Sequence, residues 1–233
     1  MNAVAAPVTL DEVLKHPGIW RRSAAAQHHV RALPTGLPEL DALLPGGGWP
    51  CGALSEILFE YDGLGEMTLL MPALAALTQR KQRVVFVAPP YIPYAPALAG
   101  HGLDLRYVVQ IESSANEGAW SAEQCLRSGS CGAVLGWLHQ ADYTQLRRLQ
   151  LAAESGDALA FLFRPAHAAT KSSPAALRLH LHLGDEGEEN SSDPGNVRFD
   201  PARIDIEILK CRGNLDRRRP TRLRWSRLSS AFP

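Results

Sequence analysis

Gly63 and Gly65, followed by Glu66, Met67 and Thr68, are the residues of this chain whose types and spacing come nearest to a known chemistry, the holding of a phosphate. A working phosphate loop reads G-x-x-x-x-G-K-[ST]: backbone N–H groups cradle the anion, the lysine reaches the β and γ phosphates, and the hydroxyl ligates magnesium. Here Glu66 stands where the lysine belongs and Met67 where Ser or Thr belongs. A carboxylate at the mouth of such a nest repels an anion by roughly 4 kcal/mol, for unit charges ~4 Å apart at surface dielectric. Attraction has become repulsion, so neither a cofactor nor a catalytic residue is expected at this loop. The same five residues also fit an ordinary strand-to-helix turn with two glycines.

The elements on either side must position that loop. Leu54, Ile57, Leu58 and Phe59 form an apolar strand before it, and an apolar run predicts a helix over 68–79 after it. The run 83–87 (RVVFV) is typical of a parallel strand buried on both faces, and 105–111, 133–138 and 158–163 read as further strands. Helices predicted over 121–128 and 143–154 alternate with them, the signature of βαβ units with right-handed crossovers. Phosphoryl transfer would also need a carboxylate past the second strand and a metal-holding Asp at the end of a later one. Pro90 occupies the first place, and Gly136 and Trp137 the second. The sequence therefore predicts a pseudo-ATPase, with no metal and no catalytic residue.

The 233 residues, 45% hydrophobic and 21% charged, suit one core with tails. A helical arm is expected over 1–32, where Thr9 and Glu12 have capping-box spacing, and the core over 33–233. The net charge of +0 supplies no global field for nucleic acid, so any basic surface must be local. Cys51, Cys125, Cys131 and Cys211 make no C-x-x-C pair. They read as reduced, mostly buried thiols of a cytoplasmic protein rather than zinc ligands. No secretory pattern and no run near ~18 apolar residues appears, so no membrane is expected.

The last third changes pattern. Residues 177–183 (LRLHLHL) alternate strictly, which puts Arg178, His180 and His182 on one face of a half-exposed strand. With no acid or thiol at matching spacing, that face reads as solvated rather than metal-binding. The acidic segment 184–195 reads as a flexible loop, and 203–211 should pair antiparallel with 177–183 as a hairpin on the sheet's edge. Between 203 and 227, nine basic residues accompany three acidic ones, leaving +6. Arg212, Arg217, Arg218, Arg219, Arg222 and Arg224 in the basic loop 212–227 are candidate contacts for phosphates or a partner, or a solvated turn. Tyr91 and Tyr94, in a proline-stiffened loop, either pack locally or offer a docking edge, since aromatic residues are enriched in interface hot spots.

Residues 35–57 follow the pattern T-G-x-x-x-L-D-x-L-L-x-G-G-G-x-P-x-G-x-L-x-E-I, which is similar to the start of a RecA-type recombinase core. That resemblance implies an α/β fold with a RecA-like P-loop-type core, a mainly parallel sheet flanked by helices and a C-terminal antiparallel hairpin on the sheet edge. The text 87–98 (VAPPYIPYAPAL), with 102–105 (GLDL) and 209–214 (LKCRGN), resembles the ImuA family, RecA-like proteins grouped with the SulA cell-division inhibitors. The ImuA resemblance implies a non-catalytic accessory of damage-induced (SOS) translesion DNA synthesis. Its partners would be ImuB, an error-prone DNA polymerase and RecA, with single-stranded DNA on the basic loop. The second reading is a SulA-like division inhibitor that binds FtsZ, against which the long arginine-rich end speaks, because SulA proteins are shorter.

Overall fold

Short, strongly apolar segments that cannot be solvated on either side become the middle of one sheet. The computed structural model of the chain describes residues 31–114, 117–185, 199–213 and 221–226. Residues 1–30 of the arm expected over 1–32, nearly all of the acidic loop, and Arg217, Arg218 and Arg219 lie outside the described residues, and Ala32 is not in a helix but opens the first strand.

Strand β1 (Ala32–Leu33) pairs antiparallel with β2 (Trp49–Pro50), and the short helix α1 (Pro38–Asp41) lies between them. Thr35 does not cap that helix directly. Its hydroxyl accepts from the N–H of Leu37 at 3.1 Å, while its own N–H donates to Asp41 Oδ1 at 2.8 Å, which closes the turn. Gly36 has φ +86°, and a Cβ there would lie 2.5 Å from Pro72 Cβ, so only glycine lets this turn press on the helix beneath.

Strand β3 (Ala53–Phe59), buried throughout, leads through the glycine loop into helix α2 (Glu66–Gln79). Strand β4 (Arg83–Val87), helix α3 (Ala95–Gly100), β5 (Val108–Ile111), α4 (Gly118–Arg127), β6 (Cys131–Trp137), α5 (Tyr143–Gly156) and β7 (Leu159–Pro165) follow. Then come β8 (Leu177–Asp185), β9 (Phe199–Cys211) and β10 (Thr221–Ser226). Eight strands form one sheet in the order β10-β9-β8-β3-β7-β6-β4-β5. From β8 to β5 every neighbour is parallel, while β9 and β10 run antiparallel as a continuation beyond β8.

Both faces are covered, which is why the parallel strands read as unbroken apolar runs. On one face α2, α3 and the 33–50 segment pack Trp49, Leu69, Leu70 and Leu74 against Ile57, Phe86, Phe161 and Leu179. On the other, α4 and α5 pack Ala122, Leu126, Leu146 and Leu149 against Leu54, Val85, Val134 and Leu162. A capping box starts α5: Asp142 accepts from Gln145 N–H at 2.8 Å, and Gln145 returns a bond to Asp142 N–H at 3.0 Å.

The mixed α/β architecture, the mainly parallel sheet and the C-terminal antiparallel strands match the expectation from sequence. Three details differ. The segment 105–111 is not one buried strand: Leu105–Tyr107 is a 3₁₀ turn, and β5 is a half-exposed edge strand. Segment 177–183 is not on the edge, because β8 lies between β3 and β9. Arg178 is not solvated but buried with Glu56.

That ion pair is part of a triad. Glu56, fully buried on β3, accepts from Arg164 Nη1 at 2.6 Å through Oε1 and from Arg178 Nε at 2.5 Å through Oε2. Arg164 also donates to the carbonyl of Ala141 at 2.8 Å, and Arg178 to those of Ala168, Ala169 and Lys171. The three central strands β7, β3 and β8 are thus joined through side chains as well as backbone, and the loops beyond them are held by the same guanidinium groups.

Candidate functional site

The loop between β3 and α2 sits at the carboxyl end of a parallel strand, the position at which open α/β sheets bind ligands. Gly63 and Gly65 both take positive φ, 85° and 103°, and turn their N–H groups inward. The anion they hold is the chain's own. Gly63 N–H donates to Glu66 Oε1 at 3.1 Å and Gly65 N–H to Glu66 Oε2 at 2.9 Å, and Glu66 is only 8% exposed. The carboxylate does more than repel a phosphate, because it occupies the cradle a phosphate would need. It also places a negative group in the first turn of α2, where the helix dipole favours one. The helix accordingly starts at Glu66, two residues before its expected beginning. Met67 is partly buried against the core, and Thr68 lies within the first turn.

The end of β6, where a metal-holding acid would stand, is aromatic. Trp137 stacks on Phe163 with ring centroids 4.6 Å apart and meets Phe86 edge-on at 6.1 Å; Phe59, the last residue of β3, tilts against Phe163 at 6.1 Å. Past β4, Ala88 takes φ +50° and donates to the Ile111 carbonyl at 2.9 Å, so its backbone is spent on local pairing.

Tyr91 and Tyr94 do not pack locally. Each is 71% exposed, with Ile92 between them at 84%. They belong to a wider set that spacing along the chain did not reveal. Tyr61 follows β3, Trp120 lies in the first turn of α4 after β5, and Tyr143 opens α5 after β6; all three are exposed. Because every one of these residues follows the carboxyl end of a parallel strand, all lie along the same edge of the sheet. From β3 to β5 that edge spans four strand spacings, about 19 Å. The missing signal was strand order, which no local pattern encodes.

The basic candidates are elsewhere. Arg222 and Arg224 are on β10, six strand spacings or about 29 Å from β4 across the sheet, so they and the tyrosines do not form one surface. Arg224 Nε lies 3.7 Å from Asp205 Oδ1, and Arg222 stands directly across from Glu207. Arg212 donates to the Pro174 carbonyl at 3.2 Å and lies 3.8 Å from Glu154. Asp205 and Glu207 already belong to the +6 of residues 203–227, so of these acids only Glu154 adds to what offsets it.

Comparison with known proteins carries the reading further. The family described as "Cell division inhibitor SulA" matches residues 52–160. The cell division inhibitor SulA of Citrobacter koseri is 30% identical over 137 residues, covering 57% of this chain and 81% of that protein. That of Yersinia pestis (strain Pestoides F) is 29% identical over 135 residues, covering 57% and 80%. The crystal structure of SulA from Pseudomonas aeruginosa superposes with a TM-score of 0.41 at 23% identity, covering 48% of this chain and 97% of that one.

These matches correct the expectation drawn from the ImuA resemblance. The family and the relatives carry the name of a cell division inhibitor, not of a translesion-synthesis accessory. The partners expected with that role, ImuB, an error-prone polymerase, RecA and single-stranded DNA, go with it, and the pairing of Arg212 with a carbonyl and of Arg224 with an acid agrees. Relatives of this kind are inhibitors rather than enzymes. With 81% of a 30%-identical relative covered, this chain belongs to the SulA family of cell division inhibitors.

Proposed function

We propose that this chain inhibits bacterial cell division by binding FtsZ through the carboxyl edge of its parallel sheet. The observation that carries this reading is the row of exposed aromatic residues, Tyr61, Tyr91, Tyr94, Trp120 and Tyr143, along an edge whose anion cradle is filled by Glu66. An edge of that kind has large apolar side chains with polar tips to offer a protein surface, which is the composition of interface hot spots. The name of the relatives supplies the process.

The same reading treats the fold as a RecA-like P-loop core kept without its chemistry. The support is the order of strand, glycine loop and helix, with Glu66 in the place of the lysine and Trp137 near that of the metal-holding acid. Residues 33–233 would act as that core and 1–32 as an arm outside it, in the cytoplasm, where the division machinery assembles. No helix among the described residues is long and apolar enough to cross a membrane.

The test is sedimentation of GTP-driven FtsZ polymers with purified chain added in increasing ratio, paired with microscopy of cells expressing it. Loss of polymer near stoichiometric ratio and filamentous cells are the expected results. Full polymer yield at a several-fold excess of the chain would overturn the reading.

A further inference from the structure

His180 and His182, two residues apart on β8, project from the face of the sheet opposite Leu179 and Leu181, and their rings lie 3.7 Å apart between centroids. The sequence offered them no acid, but the fold does. Antiparallel pairing of β8 with β9 sets Glu207 directly across from His180, and Glu207 Oε2 reaches His182 Nε2 at 3.1 Å. One ligating atom from each of the three side chains falls within 4.8 Å of the others.

We propose that His180, His182 and Glu207 form a binding site for a divalent first-row transition ion of the Zn²⁺ class. Two imidazoles and one carboxylate are a donor set that suits zinc and its neighbours and does not suit Mg²⁺ or Ca²⁺, which take oxygen ligands. Three ligands leave a fourth position for water or a further donor. With bonds of ~2.0–2.1 Å, the donor atoms of a tetrahedral site stand about 3.3 Å apart, so binding draws these three closer by side-chain rotation.

One further observation points the same way. His180 Nε2 is buried without a hydrogen-bond partner among the described residues, and a buried ring nitrogen without one is costly unless something ligates it. Charges near the site are mixed. Glu60 and Glu207 favour a cation beside His180, Asp205 is engaged by Arg224, and Arg222 is the neighbour that opposes one. The site lies on the C-terminal strands, beyond the family-matched residues 52–160.

The test uses the full chain stripped with EDTA, titrated with ZnCl₂ by calorimetry and with CoCl₂ by visible absorption. The expected result is one ion per chain, the intense visible bands of four-coordinate cobalt, and a Tm raised by about 5–10 °C at a hundredfold excess over Kd. His182→Ala and Glu207→Gln should each weaken binding at least ~10-fold, while Cys125→Ser/Cys131→Ser keeps it. Apo Tm values of the variants within ~2 °C of the parent exclude misfolding as the cause. An affinity unchanged in His182→Ala and Glu207→Gln, loss of binding in the cysteine variant, or no uptake by the stripped parent would each overturn the proposal.

Discussion

Glu66 turns its carboxylate back onto the N–H of Gly65, 2.9 Å away, and so fills the anion nest of its own loop. Removing that carboxylate leaves the Gly63 and Gly65 N–H groups without their acceptor and the first turn of α2 without its negative group. Glu66→Ala should cost about 1 kcal/mol, the usual net worth of a hydrogen bond, and lower Tm by about 2–4 °C. Calorimetry with Mg-ATP should register no heat for the parent chain. Saturable ATP binding by the parent would mean that the nest opens.

The Arg164–Glu56–Arg178 triad is buried, so breaking it strands charge inside the protein. Glu56→Ala leaves two guanidinium groups facing one another without their anion and should cost about 3–5 kcal/mol. Urea denaturation gives the number directly. A loss below ~1 kcal/mol would show that water or a rearranged loop replaces the carboxylate.

Tyr91 and Tyr94 are too exposed to matter for stability. Replacing both by Ala should leave Tm within ~1 °C of the parent. If the carboxyl edge is the docking surface, the same change should weaken FtsZ binding by about 2 kcal/mol, roughly 30-fold in Kd. Replacing Arg222 and Arg224, on the opposite margin of the sheet, should not. The reverse pattern would move the interface to β10.

Cys131 differs from the other thiols. Cys125 donates a hydrogen bond to its sulfur, Ser128 Oγ lies 3.9 Å away and Arg83 adds positive charge, which together bring its pKa down to about 6 against the opposing effect of burial. A depressed value means that the thiolate forms as pH rises through about 6 and is lost below it. Alkylation by iodoacetamide, followed by mass spectrometry, should therefore label Cys131 first. Its rate should rise between pH 5 and 7 and then level off. A rate still climbing steeply between pH 8 and 9 would show an ordinary thiol.

What could be read in advance follows from where the determinants lie. The runs at β3, β4, β6 and β7 were legible because strands buried on both faces must be apolar at every position. The loss of lysine and metal-holding acid was legible because those are single positions in a short motif. Glu66's actual bonds were not, since the motif says what a side chain cannot bind and not where it turns. Strand order was also beyond reach. It makes β5 an edge, moves β8 inside, brings Glu56 onto Arg178 from 122 residues away, and gathers five aromatic residues from four separate segments. For His180 a partial signal did exist: setting the leucines of 177–183 against the isoleucines of 203–211 puts His180 and His182 on one face with Asp205 and Glu207, but the register shift after Arg178 that sets Glu207 opposite His180 was not legible.

The position of β8 between β3 and β9 has a further consequence. If the chain stopped after β7, the outer side of β3 would present a bare row of amide donors and acceptors on a flat apolar ribbon, the kind of margin that recruits extended segments of other molecules into aggregates. Three added strands carry that vulnerable border outward to β10, where Arg222 and Arg224 alternate on one face. Charges so placed discourage a ninth strand from joining, which gives these two arginines a task in keeping the protein in solution that requires no nucleic acid.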